Sequence, residues 1–300
     1  MSAAHEAVAS SPVAAFEAER RRMLRRQRLE AGLGLAIFTV VLLVSFQRSQ
    51  FFGSDLGGDP LGRMADFLDR MIPNLRAEAL LEDRRTQGSL AAWFYALPLW
   101  LRAAWQTVEM AILATGFGAV LALFASFLAA QNLMPFAPVR FVVRRILEAI
   151  RTLPDLIMAL ILVAAFGVGP LAGVLTLTIS TLGSLGKLFA EINEEIDPRQ
   201  LEALTASGAG PVKKIRYGVL PQVLPAYASY ALIRLEGNLA GAAALGIVGA
   251  GGIGLELQRA ITYTEFDTYL AILMIIIGMI FVIDLVSEAV RHRLIGLETA

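Results

Sequence analysis

Long apolar runs alternate with short polar ones along most of this chain, and that alternation predicts membrane-spanning helices. Runs over 31–46, 104–130, 154–166, 170–190, 224–248 and 269–290 give six spans of an all-α integral membrane protein. The first is short against the roughly 20 residues that a span needs. The third and fourth form a hairpin around the turn GVGP at 167–170.

Charge orients the set. Arg20, Arg21, Arg22, Arg25, Arg26 and Arg28 crowd the end of a polar tail, 1–30. Arg140, Arg144, Arg145 and Arg151 lie between the second and third spans, and Arg291 and Arg293 follow the sixth. Basic residues concentrate on the cytoplasmic side of membrane proteins, so both termini are expected inside. The signs nearly cancel over 47–98, which reads as an external segment with short surface helices, one near 61–71. No small-residue cleavage pattern follows Phe46, so 31–46 is expected to remain as the first transmembrane helix.

One charged island, 197–221, interrupts the apolar pattern between the fourth and fifth spans. Asp197 suits an N-cap, Pro198 the first helical position, and Gln200 the second partner of a capping box. Leu201 and Leu204 share a side, and Gly208 is placed to end the helix in a left-handed conformation. Gly210 and Pro211 open a second short helix with Val212, Ile215 and Val219 on one face and Lys213, Lys214 and Arg216 elsewhere. The pattern is a helix, a glycine elbow and another helix. On pattern alone it is also an ordinary amphipathic loop.

Composition narrows the chemistry. The chain of 300 residues is 56% hydrophobic and 17% charged, with a mean hydropathy of +0.63, too apolar for a soluble domain. There is no cysteine, and His5 and His292 lie near the termini, which excludes Cys or His catalysis and thiolate metal sites. Gly249, Gly251 and Gly254 satisfy GxGxxG but leave a membrane helix rather than a strand. GSLGKL resembles a phosphate loop, yet Thr181 occupies the first glycine position and Leu188 replaces the Mg²⁺-binding hydroxyl. The chain is therefore expected to bind no nucleotide, metal or nucleic acid itself.

Charges inside apolar runs are costly, about 2.5 to 3.5 kcal/mol each on the lenient insertion scale, and so mark protein interiors or water-filled paths. The second span carries Glu109; the fifth carries Arg234, Glu236 and Asn238. Arg234 and Asn238, four apart, share a face, and Glu236 points nearly opposite. They form either a structural network, Arg234 pairing with Glu109 or Glu236, or the lining of a path for an anion. The run 246–254, with Gly249, Gly251, Gly252 and Gly254, is either close packing at the external end of the fifth span or a flexible gate.

Glu202, Ala203, Leu204, Gly208, Leu220 and Pro221 together resemble the EAA loop of ABC importer permeases, where this elbow is the coupling helix that docks on a cytoplasmic ATPase. Leu204 stands where the family usually has alanine, and Gly218 where it often has isoleucine. RTLPDLIMALILVAAFGVGPLAG, GSLGKLFAEINEEID, IRYGVLPQVLP, YALIRLEGNL, LGIVGAGGIG and IDLVSEAVRHRL extend the resemblance to the PhnE-like permeases of phosphonate importers, over about half the chain. The family usually carries an arginine shortly after the asparagine of the fifth span; Ala240 stands there, which points to a different or smaller oxyanion such as phosphite, hypophosphite or phosphate.

The resemblance implies a type I ABC importer permease fold, with a core over 99–295 that includes the coupling loop. It also implies alternating access in a bacterial inner membrane, with a second permease copy, two ABC ATPases that supply ATP and Mg²⁺, and an external solute-binding protein. The alternatives are an ABC permease for another small solute such as methionine, or an ATP-independent secondary transporter; an enzyme is not expected.

Overall fold

The computed structural model describes residues 12–49 and 59–296, and the secondary structure among them is helix and turn, with no strand. The chain divides into two units, 1–67 and 68–300. In the first, α1 (Pro12–Arg48) runs unbroken for 37 residues. From Pro12 onward the basic tail and the apolar run, expected to be separate elements, are thus one helix, carried through their junction by ion pairs one turn apart, such as Arg26 Nε to Glu30 Oε1 at 2.8 Å. The short helix expected near 61–71 is α2 (Pro60–Met71), opened by the Asp59 carboxylate, which accepts the Gly62 N–H at 2.9 Å.

The second unit holds α3 (Leu90–Trp93), α4 (Leu97–Ala129), α5 (Ala137–Thr152), α6 (Asp155–Phe166), α7 (Pro170–Glu194), α8 (Pro198–Ala206), α9 (Pro211–Lys214), α10 (Leu220–Leu245), α11 (Ile253–Thr262) and α12 (Phe266–Gly296). Among the described residues five helical stretches are long and apolar enough to cross a membrane, and a sixth span exists if α5 and α6, bent by 91°, are one crossing.

Packing supports that single crossing. A Cβ on Gly173 would meet Met110, one on Gly118 would meet Thr181, and Ser126 bonds Asn193, so α4 and α7 run parallel. Parallel neighbours need a return between them. Leu147 and Ile150 of α5 fill the spaces over Gly186 and Gly183, Ala159 of α6 packs with Leu177, and Gly169 N–H bonds Gly249 O at 2.9 Å. The bent pair thus climbs α7 from one end to the other. Alone, α6 is about 18 Å long and cannot cross about 30 Å of hydrocarbon. The run 154–166 is the apolar half of a broken span, and the preceding stretch, expected to be a loop, is the amphipathic α5 with Leu147 buried.

Two further boundaries differ from the sequence pattern. The fifth span starts at Leu220 rather than 224 and joins α9 through a π-helical turn, Ile215–Val219. Pro221 has no N–H to bond the Tyr217 carbonyl, so the ladder shifts to the wider Leu220 N–H to Ile215 O bond. The glycine-rich turn leads into α11, whose first N–H groups are satisfied by α4: Thr107 Oγ1 accepts from Ile253 at 2.9 Å and Gln106 Oε1 from Gly252 at 3.3 Å.

Candidate functional site

The elbow is built by local backbone chemistry. Asp197 Oδ1 caps α8 by accepting the Arg199 N–H at 3.0 Å. At the other end Gly208 takes φ +75°, its N–H bonds Thr205 O at 3.0 Å, and Ala209 N–H bonds Leu204 O at 2.9 Å. This is a Schellman stop, and only glycine adopts its backbone without strain.

The expected capping box is replaced. Gln222, in the first turn of α10, accepts the Asp197 N–H at 3.1 Å and donates to Gln200 Oε1 at 3.1 Å and to Gly218 O at 2.6 Å. One amide thereby ties the entrance of the elbow to its exit. Sequence reasoning missed Gln222 because its partners lie up to 25 positions away.

The two departures from the EAA pattern explain each other. A Cβ at Gly218 would stand 2.8 Å from Leu204 Cδ1, with Leu201 Cδ2 next at 3.6 Å. The larger residue at 204 occupies the volume left by the smaller one at 218. Beneath this contact Val219 is fully buried, Ile215 is half-buried and Val212 is 78% exposed, so the three do not share a buried face. Glu202, Ala203, Lys213, Arg216 and Tyr217 are exposed on the elbow, while Leu220 is half-buried and Pro221 exposed at the head of α10.

Below the elbow a buried cluster binds three helices. Tyr227 stacks on Phe189 with ring centroids 3.9 Å apart and donates to Asn193 Oδ1 at 2.7 Å, and Asn193 Nδ2 donates to Ser126 Oγ at 3.2 Å. Glu194 accepts from Gln131 N–H at 2.6 Å and pairs with Arg144.

Midway along the spans lies the second polar constellation. Arg234 Nη2 donates to Ser180 Oγ at 2.6 Å and its Nε approaches Thr181 Oγ1 at 3.4 Å. Asn238, 1% exposed, donates to Thr115 Oγ1 and Thr181 Oγ1, both at 2.8 Å. The site thus joins α4, α7 and α10 at the middle of each. Arg234 forms no ion pair with Glu109 or Glu236: among the described residues no carboxylate oxygen lies within 4.0 Å of it.

The two acids expected as partners face elsewhere. Glu109 is exposed on α4, on the side away from buried Val108 and Ala111, against the expectation of burial. Glu236 turns toward Asp284, Glu288 and Arg291 of α12, with one carboxylate oxygen buried and unbonded. Ser180 and Thr181 were missed in the sequence; the hydroxyl run Thr176, Thr178, Ser180 and Thr181 inside an apolar stretch was the available signal.

The glycine run is closely packed. Gly249, Gly251 and Gly252 have φ of +90°, +86° and +71°. A Cβ on Gly254 would overlap the Ala243 carbonyl, and one on Gly251 would stand 2.9 Å from Pro170 N.

The family described as "Binding-protein-dependent transport system inner membrane component" matches residues 118–296. The phosphite transport system permease protein PtxC of Stutzerimonas stutzeri is 40% identical over 194 residues, 65% of this chain and 70% of that one. The phosphate-import permease protein PhnE of Mycolicibacterium smegmatis is 39% identical over 193 residues, 64% of this chain but only 36% of that longer one. Among solved structures, the inward-facing MetNI methionine ABC transporter superposes with a TM-score of 0.58 at 22% identity, covering 66% of this chain and 97% of that one, a likeness of fold. The fold is that of a type I ABC importer permease, and the chain belongs to the family of binding-protein-dependent transport system inner membrane components.

Proposed function

We propose that this chain, a transporter subunit and not an enzyme, moves a phosphorus oxyanion such as phosphite, a phosphonate or phosphate across the bacterial inner membrane by alternating access. The observation that carries the reading is Arg234, a half-buried guanidinium at mid-span with hydroxyl neighbours and no carboxylate pair. A mid-span guanidinium bonded to hydroxyls, with Asp155 acting on it only from beyond ion-pair distance, is stabilised by an anion that visits it. The named substrates of the two relatives, phosphite and phosphate, fit that chemistry.

The elbow is the docking point for a cytoplasmic ABC ATPase, which binds the ATP and Mg²⁺. Exposed Val212 and Tyr217 beside Lys213 and Arg216 offer an apolar contact with a basic rim. Movement of the elbow passes directly into α10, because α9 and the π-helical turn are continuous with it and Gln222 clamps the base. Arg234 lies 14 residues beyond Leu220, about 21 Å along the helix axis. Tilting the elbow therefore re-aims the guanidinium.

Two copies of the permease complete the path, and an external binding protein delivers the anion. Glu109, exposed on α4 beside Trp105 and Ile112, fits a face covered by a second copy or by the aqueous path rather than by lipid. With the basic clusters inside, the elbow and both termini are cytoplasmic and the glycine turn is external. Uptake of radiolabelled phosphite into liposomes holding the permease, its ATPase and its binding protein tests the reading. Uptake that requires both ATP and the binding protein is expected; uptake driven by an ion gradient without ATP would overturn it.

A further inference from the structure

Beyond the arginine itself, the hydroxyls on α7 show an imbalance of hydrogen-bond donors. Thr115 donates its proton to Ala111 O at 2.7 Å, so it faces Asn238 with a lone pair and the Asn238 group beside it must be the amide nitrogen. That nitrogen also donates to Thr181. The Thr181 oxygen thus accepts from Asn238 and from Arg234, while its own proton meets no acceptor among the described residues. Ser180 is in the same position: its oxygen accepts from Arg234, and its proton meets no acceptor among the described residues. Thr178 Oγ1, one turn away, is buried with no hydrogen-bond partner among the described residues, and so is Asn238 Oδ1.

Buried hydroxyls ordinarily find an acceptor, often a backbone carbonyl one turn back, as Thr176 does with Ala172 at 2.8 Å. Ser180 and Thr181 instead stand beside the guanidinium, in a setting with several spare protons and no carboxylate pair. A tetrahedral oxyanion supplies several acceptor lone pairs on a small centre.

We propose that the hydroxyls of Ser180 and Thr181 are direct oxyanion contacts of the transport path, so that α7 shares anion recognition with Arg234 of α10. The inference rests on the reading above that the chain carries an oxyanion. In this conformation Ser180 is only 8% exposed, so the contact forms when α7 and α10 part during the transport cycle.

The absence of cysteine from the chain gives a direct test. Ser180→Cys places a single thiol in each permease copy, and its labelling by a small anionic methanethiosulfonate is followed by the mass of the permease chain from the reconstituted complex. Occupancy by phosphite at ten times its Kd is expected to slow labelling about elevenfold. In parallel, Ser180→Ala and Thr181→Val are expected to lower the maximal phosphite uptake rate roughly tenfold each, as for a lost hydrogen bond to an ion. Ser180→Thr and Thr181→Ser, which keep the hydroxyl, are expected to retain most of it.

If the wild-type complex transports phosphite but labelling is equally fast with and without it, the contact is refuted and the substrate reading stands. If sulfate, and no phosphorus oxyanion, is transported and protects the thiol, the substrate class is wrong and the Ser180 contact stands. If Ser180→Ala transports at the wild-type maximal rate, or no oxyanion protects, the proposal falls.

Discussion

The elbow at 197–221 and the mid-span cluster around Arg234 are both polar interruptions of an apolar chain, yet they are held by opposite means. The elbow is exposed and is shaped by caps, a left-handed glycine and one bridging amide. The cluster is largely buried and is shaped by side chains brought together from three helices, with Thr115 and Asn238 separated by 123 positions. The first can tilt as a unit because its rigidity is internal. The second changes whenever those helices shift, because its geometry has no internal support.

That contrast predicts different failures. The largest effect is expected for Gly208→Pro. Proline cannot adopt φ +75° and removes the N–H that bonds Thr205, a loss of about 3 kcal/mol or more at the stop of α8. Uptake and binding-protein-stimulated ATP hydrolysis should both vanish while membrane insertion persists; normal stimulated hydrolysis would show that the elbow does not couple. Next comes Arg234→Gln, expected to cut maximal oxyanion uptake on the order of 100-fold, with Arg234→Lys recovering part of it. Uptake at the wild-type rate by a fully assembled Arg234→Gln complex would remove the guanidinium from the path.

A smaller effect should come from the size exchange in the elbow. Leu204→Ala leaves space over Gly218, and Gly218→Ile overfills it, each costing about 1 to 3 kcal/mol. Together they should cost less than their sum, by roughly 0.5 to 3 kcal/mol. Hydrogen exchange across 198–220 reads the local opening energy; strict additivity would mean that the two side chains do not share that volume. The smallest change is expected for Gln222→Ala, about 1 kcal/mol of the same opening energy from loss of the bridge between Asp197, Gln200 and Gly218.

Local chemistry explains what could be read in the sequence. Asp197, Pro198 and Gly208 act on backbone within a turn of themselves, so the start and stop of α8 were legible. Gln222 was not, because its partners are fixed by how the chain returns. Six apolar runs were visible, and the bend within the third was not, because Thr152 to Pro154 breaks a helix without revealing that α5 continues the climb along α7. Arg234 and Asn238 stood out as polar groups in an apolar run; their hydroxyl partners did not, since serine and threonine enter membrane helices at little cost. Glu109 and Glu236 drew attention for their charge, but the faces they occupy are set by the packing of α4 and α12.

The claim that one region couples to ATP while the other handles the anion is tested most directly by the number of oxyanions imported per ATP hydrolysed, measured in liposomes for wild type, Gly208→Pro and Arg234→Gln. Gly208→Pro should abolish stimulated hydrolysis together with uptake, and Arg234→Gln should lower uptake far more than hydrolysis, so that its ratio drops well below the wild-type value. An unchanged ratio in Arg234→Gln, or hydrolysis in Gly208→Pro that still responds to the loaded binding protein, would contradict the division of roles.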